Sequence, residues 1–313
     1  MKKMILMFPG QGSQYENMGV DFIEKNPSYA HYFTQCSQSL GEDLLAIIGQ
    51  GSKLNQTEYS QPAIYTLSCA LYDYLDHQLS LSKQAGATIG HSLGDYSALY
   101  GCGAYTFEKG LELVIKRGRL MAEENERSGG LMAAVLGKTP EQIEQAIKKL
   151  KLSVYIANYN HPAQTVISGE RDMVQKAIKT MKQNGIKKVI PLKVGVASHC
   201  PLMQDISEKL HQYMSRHLHI GEFNIPFYSS TANGLINEGE VQKNLQKQLV
   251  QPIRWLDSVM RLLDQGFDTF IEIGPKDVLT KLVKPIAASH GSDVHVYNTE
   301  NREELFKNLK GDN

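Results

Sequence analysis

Five residues, Gly90-His91-Ser92-Leu93-Gly94, have the spacing of a nucleophile elbow, in which a serine sits at the tip of a tight turn from a strand into a helix. Residues 85–89 are small or β-branched and predict a buried strand, and residues 95–100 predict a helix. Side chains at either glycine would collide with the neighbouring strand and helix as the chain reverses. The pattern therefore predicts a Ser92 hydroxyl at the C-terminal edge of a sheet, where it can act as a nucleophile.

A serine nucleophile needs donors for the oxyanion that forms beside it, and two stretches of the chain offer them. The helix after the elbow aims its free N–H groups and the positive end of its dipole at that oxyanion, with the Leu93 N–H as the nearest donor. Residues 4–8 predict a buried strand that runs into the glycine-containing segment 9–14. Such a loop either brings backbone N–H groups close to a ligand or forms a tight turn without one.

The serine also needs a base, and the chain has ten histidines. His199 lies in a predicted loop directly before a helix, where catalytic groups are commonly placed. His91 adjoins the serine, but neighbouring side chains in a tight turn point apart, and His161 lies in another predicted loop. The other seven lie in polar, edge or helical-surface contexts. We therefore interpret His199 as the base that activates Ser92.

A candidate anion-binding residue lies on the predicted helix 107–123. Its cations Lys116, Arg117 and Arg119 are interspersed with apolar positions and commonly indicate a solvated helix face. If the substrate carries a carboxylate, however, a guanidinium offers the planar, two-pronged donor that matches it. Arg117 would then be the residue that binds this carboxylate.

Composition narrows the class of protein. Lysine plus arginine (33) balances aspartate plus glutamate (33), so no overall field favours nucleic acid or an anionic membrane. The four cysteines have no C-x-x-C spacing, which argues against zinc and against a disulfide scaffold. The apolar run near the N-terminus is too short for a signal peptide, and no run approaches a membrane span. We expect a cytoplasmic monomer without a bound metal.

The elements that position these residues alternate between strand and helix, which predicts an α/β fold with a parallel-sheet core. The predicted strands of the core are residues 4–8, 85–89, 225–230, 267–273 and 294–297. Between them, residues 127–195 have a β-α-β-β-α-β order, which is the ferredoxin-like pattern. We therefore predict a large subdomain, 1–126 and 196–313, with a small inserted subdomain that roofs a cleft over Ser92.

With these residues assembled, the sequence resembles the malonyl-CoA:acyl-carrier-protein transacylase family, which includes the free-standing acyltransferases that serve polyketide synthases. The resemblance covers nearly the whole chain. It rests on segments in one order: Phe8-Pro9-Gly10-Gln11-Gly12-Ser13-Gln14, Gln61-Pro62-Ala63, Gly90-His91-Ser92-Leu93-Gly94, Arg117-Gly118, Ala157-Asn158 with Gln164, Ser198-His199, and Ile273-Gly274-Pro275 with Val278-Leu279.

The resemblance implies an α/β-hydrolase-like core and a ping-pong transfer without a bound cofactor. Ser92 would attack the thioester of malonyl-CoA with His199 as base, and the thiol of an acyl carrier protein would then cleave the acyl-serine. The backbone N–H groups of Gln11 and Leu93 would form the oxyanion hole, and Arg117 would bind the malonyl carboxylate.

The family pattern also suggests how the base is oriented. No acid obviously completes a triad, and a backbone carbonyl near Gln251 would orient His199, which makes the pair a Ser-His dyad. Further candidate residues of the cleft are Gln61, His91, Asn158, Asn160, Val196 and Ser198.

Two departures from the family pattern leave alternatives open. Many relatives carry glutamate at the position of Asp95, and the segment Val196-Ala197-Ser198-His199 is compatible with an α-substituted malonyl unit as well as with malonyl, our first choice. Service to fatty-acid or to polyketide synthesis stays open. The alternative functions are an acyl hydrolase that edits carrier proteins and a non-catalytic docking subunit. Arg117 favours transfer, because a hydrolase has no need of it.

Overall fold

The computed structural model describes residues 3–192 and 196–310, whose strands form two sheets. The strands are β1 (Met4–Phe8), β2 (Ala85–Gly90), β3 (Gly130–Leu136), β4 (Tyr155–His161), β5 (Gln164–Glu170), β6 (Lys188–Pro191), β7 (Phe227–Ser229), β8 (Gly234–Ile236), β9 (Thr269–Glu272) and β10 (His295–Asn298).

Helices cover both faces of the larger sheet and one face of the smaller. They are α1 (Val20–Lys25), α2 (Ala30–Leu40), α3 (Leu44–Ile48), α4 (Gly51–Leu54), α5 (Thr57–Leu79), α6 (Leu81–Gln84), α7 (Gly94–Gly101), α8 (Phe107–Ser128), α9 (Pro140–Lys149), α10 (Arg171–Gln183), α11 (Gln204–His217), α12 (Val241–Val250), α13 (Trp255–Asp264), α14 (Val278–His290) and α15 (Arg302–Lys310). Among the described helices, none has the length and apolar character needed to cross a bilayer.

The larger sheet has the strand order β10-β9-β1-β2-β7-β8, and all its neighbours are parallel except the β7–β8 pair. Strand β1 lies inside it and is wholly buried. Its successive side chains Leu6 and Met7 point to opposite faces of the sheet. Leu6 belongs to a hydrophobic cluster shared with α5, α7 and α8, and Met7 to a second cluster shared with α13 and α14. This explains the unbroken apolar run of the strand, since a parallel sheet is buried on both faces.

The smaller sheet is antiparallel with the order β4-β5-β3-β6. Helices α9 and α10 pack on one of its faces around Val135, Ile143 and Val174. Helix α9 begins with a capping box formed by Thr139 and Gln142, as its sequence predicts. The predicted fold class, a parallel α/β core with a second ferredoxin-like sheet, is thus confirmed, while the subdomain limits 127 and 195 stay a prediction.

Some local predictions were wrong. The sequence predicts a helix with Pro62 in its first turn, where proline is tolerated, but α5 begins at Thr57 and Pro62 lies inside it. The short strand β8 and the last helix α15 were not predicted at all. The sequence predicts the last strand of the smaller subdomain over residues 187–194. In the structure β6 spans Lys188–Pro191, and residues 193–195 lie outside the described ranges.

Candidate active site

Ser92 sits at a strained turn between β2 and α7. Its φ is 56°, in the left-handed region that non-glycine residues rarely occupy. A Cβ atom on Gly90 would lie 2.0 Å from the Asp95 nitrogen, and one on Gly94 would lie 1.9 Å from the Phe8 oxygen. Only glycine fits at either position, so packing of the turn against β1 and α7 requires both flanking glycines.

The structure brings Ser92 and His199 together across 107 positions of sequence: the Ser92 Oγ to His199 Nε2 distance is 2.8 Å. His199 is 3% exposed, and its Nδ1 lies 2.7 Å from the backbone oxygen of Gln248. A carbonyl can only accept, so Nδ1 carries the proton and Nε2 is left free to accept the Ser92 hydroxyl proton. This is the tautomer that a general base requires.

The carbonyl that orients His199 belongs to Gln248, three positions before Gln251, near which the family pattern places it. Helix α12 ends at Val250, and the residue four positions after Gln248 is Pro252, which has no N–H to donate. The Gln248 oxygen is therefore free to accept from His199. Gln251 instead lines a separate cavity with Arg254 and Arg261. The proline was the sequence feature that could have located this carbonyl.

Burial lowers the pKa of His199 to about 3, and the nearby Arg117 and His91 act in the same direction. The bond to Gln248 opposes this shift. The imidazole is therefore neutral at physiological pH, when a base must be unprotonated to act. The negative end of the α12 dipole faces the ring and would stabilise the imidazolium that forms when the proton arrives.

Arg117 is 1% exposed and reaches the same serine. Its Nη2 donates to Ser92 Oγ at 3.2 Å and its Nη1 to Gln61 Oε1 at 2.6 Å, while its Cζ lies 5.3 Å from the centre of the Tyr96 ring. Burial lowers the pKa of Arg117. Among the described residues no carboxylate forms an ion pair with it, so the guanidinium is a buried cation available to an anionic ligand.

These groups open into one cavity of about 490 Å³ between the two sheets. The free face of the smaller sheet forms one wall through Met132, Val166 and Leu192. The sequence-predicted residues that line it are Gln11, His91, Ser92, Arg117, Asn158, Asn160, Val196, Ser198 and His199.

Besides Gln251, two predicted residues do not line the cavity. Gln61 is fully buried behind Arg117. Its Oε1 accepts from Arg117 Nη1, and its Nε2 donates to Thr57 Oγ1 at 2.8 Å. We expected Gln61 in the cleft, but it instead supports the Arg117 guanidinium from outside the cavity. The Leu93 side chain is also fully buried. Its backbone N–H lies near the first loop, residues 9–14, since a Cβ on Gly10 would lie 3.6 Å from the Leu93 nitrogen.

His91 faces away from Ser92 toward the smaller sheet. Its Nε2 lies 3.0 Å from Asn160 Oδ1, and the Asn160 amide donates to Gln164 Oε1 at 2.8 Å. Burial lowers the pKa of His91. This chain of bonds links the elbow to β4 and β5, which form the opposite wall.

One residue that supports the first loop was missed from the sequence. Lys276 donates from Nζ to the backbone oxygens of Gln14 at 2.8 Å and Gly12 at 3.4 Å. It thereby fixes the segment that carries the Gln11 N–H. A lone lysine after Gly274-Pro275 gives no indication in sequence of a contact 262 positions away. Within the described ranges, no group of three His, Cys, Asp or Glu side chains is placed to hold a metal ion.

The acyl transferase domain family matches residues 5–304 of the chain, which sets the class of protein that this fold and site define. More narrowly, the chain belongs to the malonyl CoA-acyl carrier protein transacylase family. The Bacillus subtilis (strain 168) transacylase of that name is 36% identical over 296 residues, 91% of each chain. The corresponding Staphylococcus aureus (strain MW2) protein is 35% identical over 292 residues, 91% of this chain and 93% of that one.

Solved structures agree over almost the full length. MCAT from Streptococcus pneumoniae superposes with a TM-score of 0.87 at 37% identity and covers 98% of this chain and 99% of its own. A malonyl-transacylase in complex with its type II PKS acyl-carrier protein gives a TM-score of 0.91 at 32% identity, over 99% of this chain and 100% of that one. The family assignment made from the motifs is confirmed.

Proposed function

We propose that this chain transfers a malonyl group from coenzyme A to the phosphopantetheine thiol of an acyl carrier protein. The observation that carries the proposal is the convergence on Ser92 Oγ of a neutral imidazole at 2.8 Å and a buried guanidinium at 3.2 Å. The first activates a nucleophile, and the second selects an acyl group that ends in a carboxylate. The family and its carrier-protein complex support the same reaction.

In the first half-reaction, His199 Nε2 takes the Ser92 hydroxyl proton while Oγ bonds to the thioester carbon. The oxyanion accepts hydrogen bonds from the Leu93 and Gln11 N–H groups. When the carbon–sulfur bond breaks, the imidazolium returns its proton to the sulfur of coenzyme A. Arg117 turns from Ser92 Oγ to the malonyl carboxylate, so that a bond to the carboxylate replaces its bond to the serine.

The second half-reaction reverses these steps with a different thiol. His199 takes the proton of the carrier-protein thiol, and the sulfur of that thiol bonds to the acyl carbon. Ser92 Oγ then leaves with the proton from the imidazolium. Coenzyme A thioester is thus a substrate, and no step needs a bound cofactor. Every group named lies in one chain, so we propose a monomeric catalyst, which sedimentation velocity would test.

Intact-mass measurement after incubation with malonyl-CoA tests the proposal. We expect the mass of one malonyl group to be added to the wild type and to be absent from Ser92→Ala, and we expect a carrier protein to remove it as a thioester. Release of free malonate at the same rate with and without carrier protein would instead identify a hydrolase. No mass gain at all would contradict a catalytic role.

A further inference from the structure

The side chain of Gln248 joins the two halves of the candidate dyad. Its Nε2 donates to the backbone oxygen of Ser92 at 2.9 Å and to Asp95 Oδ2 at 2.6 Å. Its own backbone oxygen accepts from His199 Nδ1 at 2.7 Å. One residue of α12 therefore touches the elbow through its amide and the base through its carbonyl.

Gln248 and Asp95 are both fully buried, so neither gains from contact with water. Both N–H groups of the Gln248 amide are used, whereas its Oε1 and Asp95 Oδ1 have no hydrogen-bond partner among the described residues. A buried carboxyl with an unpaired oxygen costs free energy. Packing alone therefore does not account for the pair, whose amide also holds the backbone of the elbow.

The position of the amide matters because Ser92 and His199 lie 107 positions apart in sequence, on different elements. Ser92 lies at a left-handed turn with φ 56°, and His199 also has a left-handed φ of 60°. Neither backbone would hold its geometry without neighbours that over-determine it. A displacement of about 1 Å at such a site is enough to slow a reaction by about a hundredfold.

We propose that Asp95 and the side-chain amide of Gln248 are positioning residues that fix the distance between Ser92 and His199. Asp95 anchors the amide, the amide holds the backbone of the elbow, and the carbonyl of the same residue holds the imidazole. This inference rests on the proposed function, in which Ser92 and His199 carry out the reaction. Burial raises the pKa of Asp95 to about 8, which is consistent with a carboxyl kept as an acceptor rather than as a counter-ion.

Two substitutions and their combination test this role. Gln248→Met removes both N–H donors but keeps the backbone carbonyl, and Asp95→Leu removes the acceptor at similar size. We expect each to lower the single-turnover rate of Ser92 malonylation about tenfold or more, with the KM for malonyl-CoA within about twofold of the wild type. Because both act through one chain of bonds, the double variant should be no more than about twofold slower than the slower single variant.

A matched control lies one turn earlier on α12. Asn244 is also buried and accepts from Ser229 Oγ at 2.8 Å, away from the site. Asn244→Leu should lower the melting temperature by a similar amount while leaving the malonylation rate within about twofold of wild type. Rates of Gln248→Met and Asp95→Leu that equal the wild type, or that fall only as far as that of Asn244→Leu, would overturn the inference.

Isosteric variants serve if the first pair does not fold. Asp95→Asn keeps an acceptor oxygen and should stay within about threefold of the wild-type rate, whereas Gln248→Glu loses the donors and should be about tenfold slower. Equal rates for these two would also overturn the inference. Ser92→Ala separates the two proposals: malonylation that survives it refutes the proposed function, whereas wild-type rates in the positioning variants refute this inference alone.

Discussion

At the scale of single residues, we propose that Arg117 decides which acyl group the site prefers. A guanidinium that is 1% exposed and has no ion-pair partner among the described residues gains most from a ligand that brings its own negative charge. An acyl group without a carboxylate leaves that charge uncompensated. On this proposal, selection depends on the carboxylate at the far end of the acyl group and not on the thioester that reacts.

Arg117→Ala should reverse this preference. We expect kcat/KM for malonyl-CoA to fall about 30-fold to 150-fold, equivalent to about 2–3 kcal/mol for lost charged hydrogen bonds, while acetyl transfer is unchanged or faster. Competitive acylation with the two thioesters measures the ratio. Arg119→Ala on the exposed face of the same helix is the control and should leave the ratio unchanged. Equal loss for both acyl groups would contradict the carboxylate assignment.

The neutral state of His199 leads to a prediction about pH. Its pKa is about 3, so the imidazole stays unprotonated as the pH falls from 8 to 5, and Ser92 malonylation should lose less than threefold over that range. A histidine with the ordinary pKa of about 6.5 would lose more than tenfold. Rapid-quench measurements across this range distinguish the two, and an inflection between about pH 6 and 7 would contradict a desolvated base.

At the scale of elements, the strand–turn–helix unit of the elbow and helix α12 set the geometry of the site. The alternation of apolar runs was enough to predict β1, β2, α8 and the ferredoxin-like order of the smaller sheet. The three-residue strand β8 was missed because it is too short for a period and because Leu235 is exposed. Helix α15 was missed because little apolar patterning marks it.

The site itself was predictable only in part. Glycine spacing identified Ser92, and elimination together with loop context identified His199, but no local pattern showed that they meet. The family pattern placed the carbonyl that orients His199 only near Gln251, because the exact residue depends on where α12 loses its N–H partners, and that is set by Pro252. Gln61 was misplaced because an amide in sequence does not reveal whether it faces substrate or supports an arginine.

The elbow predicts a sharp difference between two glycines. Gly94→Ala would bring a Cβ within 1.9 Å of the Phe8 oxygen, so we expect a loss of about 3 kcal/mol in the free energy of unfolding and an inactive protein. Gly234→Ala is the control, because a Cβ there meets nothing within 4 Å and its φ is not left-handed. Urea unfolding measures both changes, and similar small losses in the two variants would contradict the packing argument.

At the scale of the whole molecule, two buried carboxyls make folding depend on pH. Burial raises the pKa of Asp95 to about 8 and that of Glu272 to about 7. Glu272 accepts from the N–H groups of Leu279 and Thr280 and so anchors the start of α14 beside the cavity. In the unfolded chain both carboxyls are ionised above about pH 5.

Stability should therefore fall as the pH rises from 6.5 to 8. Up to about pH 7 for Glu272 and about pH 8 for Asp95, the folded protein retains a proton that the unfolded chain has released, so raising the pH favours unfolding by up to about 1.4 kcal/mol per pH unit for each carboxyl. The lowered pKa values of His199 and His91 act only below about pH 6.5, where they oppose this trend. Calorimetry at constant ionic strength measures the slope. Asp95→Asn should flatten it, and a melting temperature that rises with pH would contradict the assignment.

Pro252, which follows the end of α12, has a consequence for how the charge of the site changes when an acyl group binds. A carbonyl dipole, rather than an aspartate, orients the imidazole, and no carboxylate among the described residues forms an ion pair with the Arg117 guanidinium. On the proposed assignment of Arg117, a malonyl group would bring its own carboxylate as the counter-ion of this guanidinium. Transfer of the malonyl group to the carrier protein would again leave the guanidinium without a counter-ion, so that it can bind the next malonyl group.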